Sequence, residues 1–238
     1  MGMKSLVLVS GGLDSATALA YALKGKIEAA AVTFIYDSKH NERELQAAGD
    51  IIRHFDVPCY QIKIPNGLFG TGSTLMQGGK EIPNEEYHDA SAGKESPSST
   101  IVPFRNAVFL SMAVALAESR GYGYVVIAAH ATDAGGFAYP DCSPEFLGAF
   151  TAATYIGTLR KVRLFAPFAQ LSKAQVVKLG KGLSVPFHLT YSCYRGALHH
   201  CGKCPTCVER RAAFSSAGVT DPTIYEDTEV NDERIGDE

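Results

Sequence analysis

The first 64 residues alternate short apolar runs with helix-length segments, and this rhythm restricts the fold more than any other feature of the chain. Residues 5–9 read as a buried strand, 14–23 as a helix rich in Ala and Leu with little polar face, and 28–36 as a second strand. A helix over 41–55 follows, with Leu45, Ala48, Ile52 and Phe55 at helical spacing, and then a third strand over 59–64. Short connections and right-handed crossovers turn such a succession into a parallel sheet. The rhythm returns with helices over 106–119, 144–158 and 172–179 and strands over 124–129 and 162–165; Ser172 three residues before Gln175 predicts a capping box. The expected class is α/β, a doubly wound, mostly parallel sheet flanked by helices.

Two stretches depart from the pattern. Residues 65–100 carry three prolines with many glycines and serines, and are expected to form a substrate-covering loop. From residue 221 the chain holds eight acidic residues and one Arg, and a solvated acidic tail is expected over 221–238. The expected organisation is an α/β domain over 1–189, a segment over 190–220 in which four cysteines at metal-ligand spacing are expected to bind zinc ahead of a C-terminal helix, and that tail. A net charge of −3 and the lack of a Lys/Arg run disfavour a protein that grips a nucleic-acid backbone. No segment approaches a membrane span and no secretion signal is visible, so a cytoplasmic location is expected.

The segment Ser10-Gly11-Gly12-Leu13-Asp14-Ser15 lies where a predicted strand gives way to a predicted helix. The first N–H groups of a helix lack internal partners and face the positive end of its dipole, so an anion is stabilised there. Adjacent glycines let backbone approach an oxyanion, Ser10 and Ser15 add hydroxyls, and Asp14 can hold the Mg²⁺ that a phosphate brings or cap the helix. Neither a Walker lysine motif nor a dinucleotide fingerprint is present. The loop, with Leu8 and Val9 before it, resembles that of enzymes that split ATP between its α and β phosphates.

Four of the six cysteines, Cys193, Cys201, Cys204 and Cys207, fall within fifteen residues. Four thiolates at this spacing suit a closed tetrahedral Zn²⁺ site, although ligand type alone also admits an iron-sulfur cluster. His199 and His200 are expected to face solvent, because the sulfurs already complete the site.

Together these segments resemble the 7-cyano-7-deazaguanine synthase (QueC) family of the ATP pyrophosphatase superfamily. The likeness also rests on Val102-Pro103-Phe104-Arg105-Asn106, Tyr139-Pro140-Asp141-Cys142-Ser143-Pro144-Glu145-Phe146, Leu171-Ser172-Lys173-Ala174 and Thr190-Tyr191-Ser192-Cys193-Tyr194. The chain departs from the family at Phe104, where Gly is frequent, at Tyr191, where Trp is frequent, and at Asp37-Ser38-Lys39-His40, which replaces a Gly-Gln-Arg-His run.

The resemblance implies an adenine nucleotide α-hydrolase-like fold, a homodimer, and an enzyme acting on 7-carboxy-7-deazaguanine, ammonia and ATP. It places ATP on residues 8–15 and assigns Asp14, Lys173 and Arg105 to catalysis. Arg105, Asn106 and Asp141 are expected to hold the purine, with Asp141 on its guanine-like edge and Cys142 as a packing residue. A tRNA-modifying sulfurtransferase with an iron-sulfur cluster is the alternative.

Overall fold

The computed structural model describes residues 4–25, 28–84, 99–134 and 139–226. Five strands, β1 (Lys4–Leu8), β2 (Glu28–Ile35), β3 (Cys59–Lys63), β4 (Tyr124–Val126) and β5 (Arg163–Phe165), form one sheet in the order β3-β2-β1-β4-β5. Every pairing is parallel, with Leu6 opposite both Ala30 and Val125. Successive strand side chains point to opposite faces. Val7 and Ala31 accordingly pack under α1 (Leu13–Lys24), α2 (Asn41–Phe55), α6 (Lys173–Gly182) and α7 (Pro205–Ala217), whereas Leu6 and Ala30 pack under α3 (Arg105–Arg120) and α5 (Pro144–Gly157). This is the doubly wound α/β fold expected from the sequence.

The chain builds outward from β1 to β3, then crosses by α3 to β4 on the other side of β1. Such a reversal opens a crevice beyond the carboxyl ends of the two central strands. Helix α1 can be almost wholly buried because its exposed-side neighbour is α6, which comes close at Gly180. A Cβ there would stand 2.7 Å from Thr17 Oγ1.

Several boundaries differ from the sequence reading. Strand β4 stops at Val126, because only three residues pair with β5; Ile127 adds one further bond to Phe165 O. A single-turn helix, α4 (Ala131–Ala134), and 3-10 turns at Pro140–Cys142 and Phe187–Leu189 had no sequence signal of their own. The capping box at Ser172 is present, with Ser172 and Gln175 exchanging backbone-to-side-chain bonds.

Of the expected substrate-covering loop, residues 85–98 lie outside the described residues. The part before them is anchored to the body at a few points: Phe69, Leu75 and Met76 are buried, and Lys39 Nζ ties the turn down through the carbonyls of Gly79 and Lys80. The expected tail also begins later than residue 221. Asp221 pairs with the buried Arg210, and Tyr225 is buried where residue 225 bridges His200; residues 227–238 lie outside the described residues. No helix among the described residues is long and apolar enough to cross a membrane.

Candidate active site

The turn after β1 occupies the crevice. Helix α1 starts at Gly12 with no side-chain cap, so its first N–H groups remain open to an anion. Ser15 Oγ does not cap; it donates to Gly12 O at 3.0 Å and accepts from Ser10 N at 3.2 Å, bracing the turn. The two glycines differ in what they do. Gly11, at φ +92°, faces away from the crevice, and a Cβ would meet Glu44 O at 2.4 Å: its glycine is demanded by packing on α2. At Gly12 a Cβ would meet nothing closer than Ser10 Oγ at 3.6 Å, so this position is the one left bare toward a ligand. Leu13 likewise points into the core.

A cavity of about 240 Å³ opens from this turn. Leu8, Val9, Ser10, Gly12, Asp14 and Ser15 line one part of it, and Lys173, Arg105 and Asn106 also reach it. Three residues that the sequence did not single out stand beside Asp14 and Lys173. His130 Nε2 lies 3.6 Å from Asp14 Oδ2 and 3.5 Å from Asp133 Oδ2, and Lys173 Nζ lies 2.6 Å from Glu209 Oε2 and 3.6 Å from Asp14 Oδ2. Burial alone would raise the Asp14 carboxyl, but Lys173 and His130 overcome it and hold the group at about 2. Burial disfavours charge on Lys173, yet Glu209, Asp14 and Asp133 keep its ammonium charged. Position in the fold was the available signal for His130 and Asp133, which follow β4 at the switch point; Glu209 had none.

The other end of the cavity is built around Arg105, which enters from the start of α3 and faces Tyr36 OH at 3.4 Å. Glu44 from α2 lies nearby, and its burial pushes the carboxyl up to about 7 against the pull of Arg105. His40, beside it, is kept neutral, its value lowered to about 3 by burial and by Arg105.

Asp141 is not on the cavity wall. Its carboxylate receives Asn106 N at 2.9 Å and Asn106 Nδ2 at 3.3 Å, so both oxygens serve the first turn of α3, where they position Asn106. The structure therefore gives this carboxylate a helix-start role, which the sequence reading did not foresee. Cys142 Sγ does face the cavity and accepts from Asn106 Nδ2 at 3.1 Å; burial, then Asp133 and Asp141, push its thiol well up, which suits a packing residue. Phe104 stands in the left-handed region at φ 53°, the conformation that favours glycine.

The four cysteines converge as expected. All are buried, and their sulfurs lie within 4.8 Å of one another. Cys193 and Cys204 are 4.0 Å apart, far beyond a disulfide but close to the ~3.8 Å edge of a tetrahedron with Zn–S bonds of ~2.3 Å. Backbone N–H groups of Cys201, Lys203 and Cys204 point at Cys193 Sγ or Cys201 Sγ, as thiolates require. The donor set thus fits a closed metal site. His200, expected in solvent, is buried instead: its Nε2 accepts Ser192 N at 2.9 Å and braces the Cys193 loop, which takes it out of contention as a ligand.

An uncapped helix start at the switch point, with a carboxylate and an ammonium set against it, is the arrangement of an α/β protein of the nucleotide-binding class. The profile of the family described as "Queuosine biosynthesis protein QueC" matches residues 4–218. The chain belongs to that family and is an ATP-dependent enzyme. A relative from Desulfotalea psychrophila, named 7-cyano-7-deazaguanine synthase, is 40% identical over 223 residues, covering 93% of this chain and 98% of its own. One from Agrobacterium fabrum with the same name is 43% identical over 229 residues, covering 94% and 93%. Among solved structures, NMN synthetase from Francisella tularensis is 20% identical over 92% of this chain and 78% of its own, with a TM-score of 0.47, too loose a likeness to carry an argument.

Proposed function

We propose that the chain converts 7-carboxy-7-deazaguanine and ammonia into 7-cyano-7-deazaguanine, cleaving two ATP to AMP and pyrophosphate. The observation that carries the reading is the pairing of Asp14 and Lys173, 3.6 Å apart, beside the uncapped start of α1 in one cavity with Arg105. In the first half a substrate carboxylate oxygen attacks the α phosphorus and pyrophosphate leaves. Ammonia then attacks the acyl carbon, AMP leaves, and an amide results. In the second half the amide oxygen attacks the α phosphorus of another ATP and pyrophosphate leaves; departure of AMP and loss of the nitrogen's two protons then give the nitrile.

Negative charge grows on the departing pyrophosphate in both halves. The N–H groups opening α1, the Ser10 hydroxyl and the Lys173 ammonium are donors suited to it, fixed before the reaction begins. Arg105 supplies a planar fork at the other end, suited to a carboxylate. Asp14 would hold Mg²⁺, which when bound neutralises phosphate charge; its Oδ1 is buried without a partner, which fits a hard cation. Cys193, Cys201, Cys204 and Cys207 would hold Zn²⁺ in a closed, structural site.

The same reading makes the protein a cytoplasmic homodimer working on small molecules without nucleic acid, in keeping with its net charge of −3. The test is incubation with ATP, Mg²⁺, ammonium and 7-carboxy-7-deazaguanine. AMP and the nitrile are expected; ADP, or no nitrile, would count against the reading. A colourless protein with zinc supports the closed site, and a brown one with iron would favour the sulfurtransferase alternative.

A further inference from the structure

Lys173 occupies an electrostatically awkward place. It is the first residue of α6, where the helix dipole presents its positive end and disfavours a cation. Its backbone N–H donates to Thr132 Oγ1 at 3.0 Å, and its side chain is only 9% exposed. A buried ammonium at such a site needs counter-charge, and Asp14, Asp133 and Glu209 provide it.

These three are not equivalent. Glu209 makes the contact at 2.6 Å, with 9% and 12% of the two side chains exposed, whereas Asp14 is at 3.6 Å. Were Glu209 neutral, the strongest remaining pull on the ammonium would come from Asp14. Lys173 would then close on Asp14, and each would neutralise the group that the other should leave free for a nucleotide. The Glu209 contact therefore takes the closer hold on the ammonium and leaves the Lys173–Asp14 pair at the longer distance of 3.6 Å.

Glu209 is itself held at both ends. It lies two residues beyond Cys207, in a helix whose N-cap is Cys204, so the cysteine cluster fixes where α7 begins and how it is rotated. The next residue, Arg210, is fully buried and bonds to Phe187 O, Thr190 Oγ1, Ser192 Oγ and Asp221.

We infer that Glu209 is a positioning residue for the ATP-cleaving step: from a helix anchored by the cysteine cluster, it fixes Lys173 at the cavity wall and limits its approach to Asp14 to 3.6 Å. The inference rests on the reading of Asp14 and Lys173 given above, and assigns the metal-binding segment a part in catalysis through geometry alone.

The test compares Glu209→Gln, Lys173→Gln and the double variant in the full chain, by ATP–pyrophosphate exchange with 7-carboxy-7-deazaguanine and by metal content. Glu209→Gln is expected to keep its metal and to lose about 10- to 100-fold in kcat, with a much smaller change in KM for ATP. Adding Glu209→Gln to Lys173→Gln should cost nothing further, since the first acts only through the second. Full activity in Glu209→Gln, or losses that multiply in the double variant, would overturn the inference. If Glu209→Gln fails to fold, Glu209→Asp serves: its shorter arm cannot reach 2.6 Å, and wild-type kcat in that variant would equally overturn it. Failure of the underlying reading looks different, because the wild-type protein would then show no exchange at all.

Discussion

Replacing Arg210 by Met should unfold the protein far more readily while leaving the sheet's own packing intact. Methionine nearly fills the volume of the arginine stem, so the loss is of charge and donors and not of core. The guanidinium donates to Asp221 at 3.2 and 3.3 Å, to Thr190 Oγ1 at 2.9 Å, to Ser192 Oγ at 3.1 Å and to Phe187 O at 3.3 Å. Removing one member of a buried ion pair costs ~3–5 kcal/mol, chiefly through the charge left behind. Asp221 would not be wholly stranded, because Tyr225 OH and Thr223 N still reach it at 2.7 and 3.1 Å. The lower half of that range, ~3–4 kcal/mol, is therefore expected. With a urea slope of ~3 kcal/mol per molar, the midpoint should fall by about 1 M. Circular dichroism is the probe, since the chain has no tryptophan. Adding Asp221→Leu should recover part of the loss, with a coupling of ~1–3 kcal/mol. A midpoint shift under about 0.3 M in Arg210→Met would refute the reasoning that this arginine staples α7 to the segment before the cysteines.

Three further outcomes follow from the geometry. Gly11→Ala should destabilise the fold, because its Cβ would meet Glu44 O at 2.4 Å, whereas Gly12→Ala should melt near wild type yet bind ATP weakly; thermal melts beside ATP titration separate the two. Glu44, raised from 4.5 to about 7, contributes stability that is full below about pH 4.5 and is lost as pH rises through 7; melts of Glu44→Gln should show a flatter dependence over that window, and an unchanged slope would contradict the assignment. Cys204→Ser should lose its metal and its stability together, while Asp14→Ala should keep the metal and lose AMP formation; metal analysis with product chromatography reads both.

Local signals sufficed for features whose residues are neighbours in sequence. The Ser10–Ser15 turn and the cysteine spacing each carry their partners within a few positions, so strand-to-helix patterning and ligand spacing suffice. Asp141 shows the limit. A carboxylate in a distinctive segment reads as a substrate contact, and the sequence did not show that it also accepts from Asn106, thirty-five residues earlier, a bond that exists only because α3 starts beside the Pro140–Cys142 turn. His200 shows the same limit in reverse, a loop residue buried because the chain after Asp221 returns to cover it.

By itself the sequence determined the α/β class, the glycine turn between β1 and α1 and the gathering of the four sulfurs, because periodicity, strand-to-helix patterning and metal-ligand spacing are properties of short stretches. Only the tertiary structure decided which glycine serves packing and which faces the cavity, and only it joined Asp14, His130, Asp133, Lys173 and Glu209. Those five come from four separate parts of the chain, and charges in a buried cluster are set by distances of 2.6 to 3.6 Å that no sequence spacing encodes.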